Sequence, residues 1–143
     1  MSKSKSKPNF ASFEAIIPLD SQRVVTGFGF NSGSPLIGVE LTISGTPNPV
    51  TGFVDEFGEL NALYNITIGN ELNNKALIEK GEPIPPGLSK PILKLNFSPS
   101  AENIALFVFK KLDSVLAQNN LRLDRVTAII PQGKGIVERE MFK

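Results

Sequence analysis

Glu138 and Glu140 stand two residues apart in the stretch Ile136 to Met141, a spacing that sets both carboxylates on one face if that stretch is a strand. Paired carboxylates can divide the roles of general acid and general base. The simpler reading of this pair is a solvated or inter-subunit strand face. Asp55, Glu56 and Glu59 form an acidic cluster where a helix is expected to start. Negative charge there is favourable in itself, because it meets the positive end of the helix dipole; a metal or general-base role is the sharper alternative. Glu102 has the same two readings, facing a dipole or facing a ligand. Lys134 lies between Gly133 and Gly135, which reads as a hairpin turn because the rest of a phosphate loop is missing. Gly27, Gly29 and Gly33 have the wrong spacing for a dinucleotide loop.

The chain contains no histidine and no cysteine. That excludes a Ser-His-Asp triad, a Cys-His pair and a zinc site of the usual nitrogen and sulfur ligands. Any catalysis would rest on carboxylates, lysines, the single tyrosine Tyr64, hydroxyls, backbone amides or a bound cofactor. Tyr64 itself reads as a helix packing residue.

The elements that must position these groups follow from pattern. From Leu36 to Ser44, Ile37, Val39, Leu41 and Ile43 alternate with Gly38, Glu40, Thr42 and Ser44, the period of a strand with one buried face. Phe13 to Leu19 and Arg23 to Phe30 also read as strands. The prolines of the segment 45–52 then stop extension. A first helix is expected from Glu56–Leu60 toward Leu72, interrupted by Gly69. Pro83, Pro85 and Pro86 make 81–87 an exposed loop, an insertion or a docking segment for a partner, and 77–97 as a whole is expected to be a loop insertion. A second helix is expected with Ser98 as N-cap and Pro99 at its first position. Ile104, Val108, Leu112 and Val115 recur along it, and Asn119-Asn120 ends it. Val126 to Ile130, a turn over 131–135, and Ile136 to Met141 complete the order strands, helices, strands. The expected class is α+β, with two helices on one face of an antiparallel sheet.

At 143 residues, 41% hydrophobic and 20% charged, the chain fits one globular domain over 11–143. The segment 1–10 reads as a disordered basic tail, since Lys3, Lys5 and Lys7 alternate with serines. Without those lysines the net charge of +1 turns slightly negative, so no nucleic-acid surface is expected. No apolar run approaches the roughly 18 residues that span a bilayer. With no signal-like apolar region and no cysteine, the expected location is cytoplasmic.

Four motifs in order resemble the 6-pyruvoyl-tetrahydropterin synthase and 6-carboxy-tetrahydropterin synthase family, a branch of the tunnelling-fold (T-fold) proteins. They are Phe13-Glu-Ala15, the strand Gly38 to Gly45, Pro49-Val-Thr-Gly-Phe-Val-Asp-Glu-Phe-Gly-Glu-Leu60 and Ser98-Pro-Ser-Ala-Glu-Asn103. The resemblance implies a ββ-αα-ββ T-fold and a homo-oligomer, a trimer or dimer of trimers. It also implies a site in which three histidines bind zinc, a cysteine acts as nucleophile and a glutamate anchors the pterin. In this chain the first histidine position matches Ile17. The other two fall at Ser32 and Ser34, within one residue, and the cysteine falls near Phe28. An Asp-His pair falls near Gly69-Asn70-Glu71, and the anchoring glutamate matches Ile130.

The expectation is therefore a protein that cannot perform zinc-dependent pterin chemistry and holds no metal or cofactor. Ile17, Phe28, Ser32, Ser34, Ile130 and Glu102 would line a drier, remodelled pocket. That pocket would take a small heterocyclic or apolar ligand or a protein partner. The alternative is a metal-free enzyme of lyase or cyclase type acting on a pterin-, purine- or aromatic-like substrate. Its acid–base candidates are Glu102, Glu71, Lys134 and Glu138. A structural subunit pairing with an active relative is the third reading.

Overall fold

The computed structural model describes residues 11–27, 30–46, 57–84, 86–88, 90–131 and 133–142. For 11–13, 15, 18–20, 22–27, 30–37 and 57–59 the description is of backbone alone. Phe28 and the segment 47–56, which holds Asp55 and Glu56, lie outside it, as does the tail 1–10.

Two long strands, β1 (Ala11–Gly27) and β2 (Phe30–Gly45), pair antiparallel along nearly their whole length. The two strands expected at 13–19 and 23–30 thus merge into β1 and the first residue of β2. The register with β2 shifts between Pro18 and Ser21. Helix α1 (Phe57–Tyr64) continues through a π-helical turn at Asn65–Gly69 into the short α2 (Asn70–Leu72). The chain then forms β3 (Ala76–Glu79), β4 (Ile92–Leu95), α3 (Ala101–Gln118), β5 (Leu121–Ile130) and β6 (Gly133–Glu138), and closes with a 3₁₀ turn at Arg139–Phe142.

The sheet order is β4-β3-β1-β2-β5-β6. β1, β2, β5 and β6 form the antiparallel body, and β3 and β4 extend it in parallel beside β1. This is an α+β T-fold. The period of two in β2 does what its pattern requires, with Val39, Leu41 and Ile43 fully buried against the helices. Leu123, Val126, Ala128 and Val137 of β5 and β6 share that layer with Leu60, Tyr64, Ile104, Val108 and Leu112 of the helices. Each fully buried Val, Leu or Ile among them contributes about 1.5–3 kcal/mol relative to exposure. On the opposite face, the register aligns Ile16, Glu40, Thr127 and Ile136 in one row, and Ile16 and Ile136 are exposed.

Several expected boundaries shift. The segment 77–97 is not one loop: Ala76–Glu79 and Ile92–Leu95 pair as strands, and the proline-rich stretch is confined between them. Leu77 and Leu95 are buried, which offsets the poor local strand signal. The N-cap of α3 is Ser100, not Ser98. Its side chain accepts the Asn103 N–H at 3.2 Å, and Pro99 precedes the helix. β6 begins at Gly133, so the turn is shorter than 131–135, and it ends at Glu138 rather than Met141.

Two glycines allow close approaches. A Cβ on Gly135 would lie 2.2 Å from the carbonyl carbon of Ala101, so α3 starts directly on the backbone of β6. A Cβ on Gly69 would lie 2.9 Å from the Tyr64 ring and 2.5 Å from Asn65 Oδ1. Gly69 therefore does not break the helical run; it lets the π turn fold over that ring.

Candidate functional site

Ile17 is 3% exposed and belongs to the main core, opposite Val39 on β2. A packed hydrocarbon side chain has no lone pair to offer a metal. Ile130, at the end of β5, is half-buried and packs against the same core. Ser32 and Ser34 sit on β2 opposite Val25 and Arg23. Moving the match by one residue gives Asn31 with Gly33, or Gly33 with Pro35, and neither pair supplies two imidazole-like donors.

The acid–base candidates fall in three places. Gly135 packs on the first turn of α3, with its missing Cβ 2.3 Å from the Glu102 nitrogen. This brings the backbone of Lys134 beside that of Glu102, next to the Ile130–Gly133 pair that closes the β5–β6 hairpin. Glu102 and Lys134 are both exposed. Glu138 lies at the other end of β6, opposite Arg125, and pairs with its guanidinium at 3.4 Å. Glu140 is in the 3₁₀ turn, so the two glutamates do not share a strand face. Glu71 is exposed on α2, where its backbone carbonyl accepts from Lys75 Nζ at 3.3 Å. Among the described residues, no group of three or more acidic side chains is placed to hold a metal ion.

Tyr64 is fully buried, and among the described residues its hydroxyl has no hydrogen-bond partner. Burial pushes the phenol pKa above its usual range, because the phenolate would be poorly solvated. It packs in the core as the sequence suggests, and the pattern gave no sign that its hydroxyl would lack a partner.

The end of the sheet around Arg139 carries features that local sequence does not signal. Arg139 pairs with Asp113 of α3, donates to the Leu123 carbonyl at 2.9 Å and lies over the Phe109 ring at 5.5 Å. Neighbouring cavities of about 400 and 340 Å³ are lined by residues that include Ser44, Asp113, Arg122 and Arg139, and Thr42, Arg125, Glu138 and Arg139 respectively. Of the candidates, only Glu138 lines either one.

The family model of 6-pyruvoyl tetrahydropterin synthase matches residues 37–137, from the middle of β2 to the end of β6. The chain belongs to the 6-pyruvoyl tetrahydropterin synthase family. Solved structures agree on the fold. A catalytic-residue mutant of Plasmodium vivax 6-pyruvoyltetrahydropterin synthase superposes with a TM-score of 0.65 at 14% identity, over 92% of this chain and 99% of that one. The 6-pyruvoyl tetrahydropterin synthase of Caenorhabditis elegans gives 0.62 at 14% identity, over 90% and 95%. An uncharacterized protein of Wolinella succinogenes gives 0.71 at 13% identity, over 91% and 98%. No curated protein matches the sequence. At these identities the solved structures speak for the fold. Among the described residues, no helix is long and apolar enough to cross a membrane.

Proposed function

We propose that this member of the 6-pyruvoyl tetrahydropterin synthase family acts by binding a ligand or partner, not by zinc-dependent pterin chemistry. The observation that carries this reading is Ile17. At the position where the family resemblance places a zinc-binding histidine, the chain has an isoleucine 3% exposed within the core. With no histidine or cysteine anywhere in the sequence, the residues present do not fit a zinc ion. The apolar character of Ile130, where the resemblance places the pterin anchor, supports the same reading, because a pterin's paired N–H donors would find no acceptor there. The protein is proposed to work in the cytoplasm as a homo-oligomer, a trimer or dimer of trimers. The exposed Ile16 and Ile136 on the uncovered sheet face favour such an assembly.

The test is direct. Metal analysis of protein purified without chelator should find no stoichiometric zinc, and one zinc per chain would overturn the reading. A thermal-shift screen with pterins, purines and small aromatic acids should reveal a class that raises Tm, since binding to the native state stabilises it. Sedimentation at micromolar concentration should show a trimer or larger species.

A metal-free acid–base enzyme is the second reading. Glu138, which lines a cavity of about 340 Å³ together with Arg125 and Arg139, favours it. Turnover on one of those ligands that disappears in Glu138→Gln, with unchanged Tm, would replace the first reading by the second.

A further inference from the structure

The segment between the helices adds something that the antiparallel body lacks. β3 and β4 extend the sheet beyond β1 and leave β4 as its terminal strand. Among the described residues, the outer edge of β4 carries no ladder partner, so its backbone groups there are free to pair. Along β4, Leu93 and Leu95 turn toward the core while Ile92 and Lys94 are exposed. Phe97 continues the inward parity two residues beyond Leu95 and meets Phe107 of α3, with ring centroids 5.3 Å apart. Beside that contact is a cavity of about 270 Å³ lined by Phe97, Asn103, Leu106, Phe107 and Lys110.

Lysines stand around this edge and the cavity beside it. Lys94, Lys110 and Lys111 are exposed, and among the described residues none of them forms an ion pair. Lys111 instead lies over the Phe107 ring at 5.6 Å. A strand edge without a ladder partner among the described residues, an apolar cavity at its end and a rim of exposed lysines each select a feature of a partner. The edge selects an extended backbone, the cavity one large apolar side chain, and the rim negative charge.

We propose that the outer edge of β4, with the cavity beside Phe97 and Phe107, is a docking site for an extended acidic peptide segment of a partner protein. The segment adds a strand to β4 and sets an aromatic or large aliphatic side chain beside Leu106. Its carboxylates meet Lys94, Lys110 and Lys111. This site is separate from the Ile17 and Ile130 positions.

The probe is a fluorescein-labelled heptapeptide with a central phenylalanine between two valines and two acidic residues at each end. Two controls replace the acidic residues by lysines or the phenylalanine by serine. Fluorescence anisotropy with the full chain should show saturable binding of the acidic peptide, weakened at least tenfold by either control. The exposed double variant Lys110→Glu/Lys111→Glu, which disturbs no buried contact, should weaken binding at least tenfold. The cavity variant Leu106→Glu should do the same, and raised salt should weaken binding of the native protein. Amide shifts on peptide addition should centre on 92–97 and 103–111. Absence of saturable binding, retained affinity in the lysine variant, or shifts centred on β6 would each overturn the proposal. So would a change of oligomeric state in Lys110→Glu/Lys111→Glu, because the edge would then be an interface between copies of this chain.

Discussion

Gly135 of β6 lies under Ala101 of α3 so closely that a Cβ would fall 2.2 Å from the Ala101 carbonyl carbon. The obstacle is backbone on both sides, with no flexible side-chain tip to swing away. Gly135→Ala should therefore push α3 off the sheet and cost about 1–3 kcal/mol or more. Urea unfolding reads this as a lower midpoint. Gly133→Ala is the control, since nothing lies within 4 Å of that site, and it should change the midpoint little.

Tyr64 buries a hydroxyl without a partner, and removing the oxygen removes that penalty. Tyr64→Phe should leave stability unchanged or raise it by about 1 kcal/mol. The pH dependence has a defined sign. Burial raises the phenol pKa in the folded state, so above the ordinary value of about 10 the unfolded chain releases a proton that the folded one keeps. The native protein should lose stability as pH rises past about 10, and Tyr64→Phe should lose less over the same window. Parallel slopes for the two proteins in urea titrations from pH 8 to 11 would show that the phenol is not held as described.

Ser100 caps α3 through its side chain, accepting the Asn103 N–H. Ser98 contributes its backbone carbonyl to Asn103 Nδ2 at 3.0 Å, an interaction that survives loss of the hydroxyl. Ser100→Ala should cost about 1 kcal/mol and Ser98→Ala a few tenths. Differential scanning calorimetry of the two variants separates them; equal losses would contradict the cap assignment.

Ile17→Ala should cost about 2–5 kcal/mol, because the site lies among Val39 and the rest of the main core and cannot collapse freely. Ile17→His should also lower Tm. An imidazole there gains no ligand partners and must bury two polar nitrogens. A rise in Tm of Ile17→His on adding zinc would show that a metal site survives around that position.

The sequence was legible where a periodic pattern coincided with burial on one side. The alternation in 36–44 became the central strand β2. The stripe of Ile104, Val108 and Leu112 became the buried face of α3, and Asn119-Asn120 ended that helix, with Asn120 at φ 61°. The signal failed where pairing partners were remote. β3 and β4 are four residues each and flank a proline-rich stretch, so nothing local marks them. Their strand form depends on β1 offering Gln22 and Arg23 as partners. The N-cap failed for a similar reason. Ser98 and Ser100 both suit the role, and the contact between α3 and Gly135 selects where the helix begins.

The candidate site shows the same division. Composition alone excluded imidazole and thiol chemistry, because a residue type that is absent cannot act in any fold. The grouping of the acid–base candidates was not in the sequence. Gly135 lets the backbone of α3 at Glu102 rest on β6, where strand parity turns Lys134 to the other sheet face, while Glu138 and Glu140, two positions apart, are separated by a change from strand to 3₁₀ turn. Residue types and local period fixed which chemistry was open and which faces were apolar. Only the tertiary structure decided which charges meet, that Ile17 belongs to the core, and that β4 is the terminal strand of the described sheet beside Phe97. Those are contacts between distant segments, set by sheet order and backbone approach and carried by no short-range pattern.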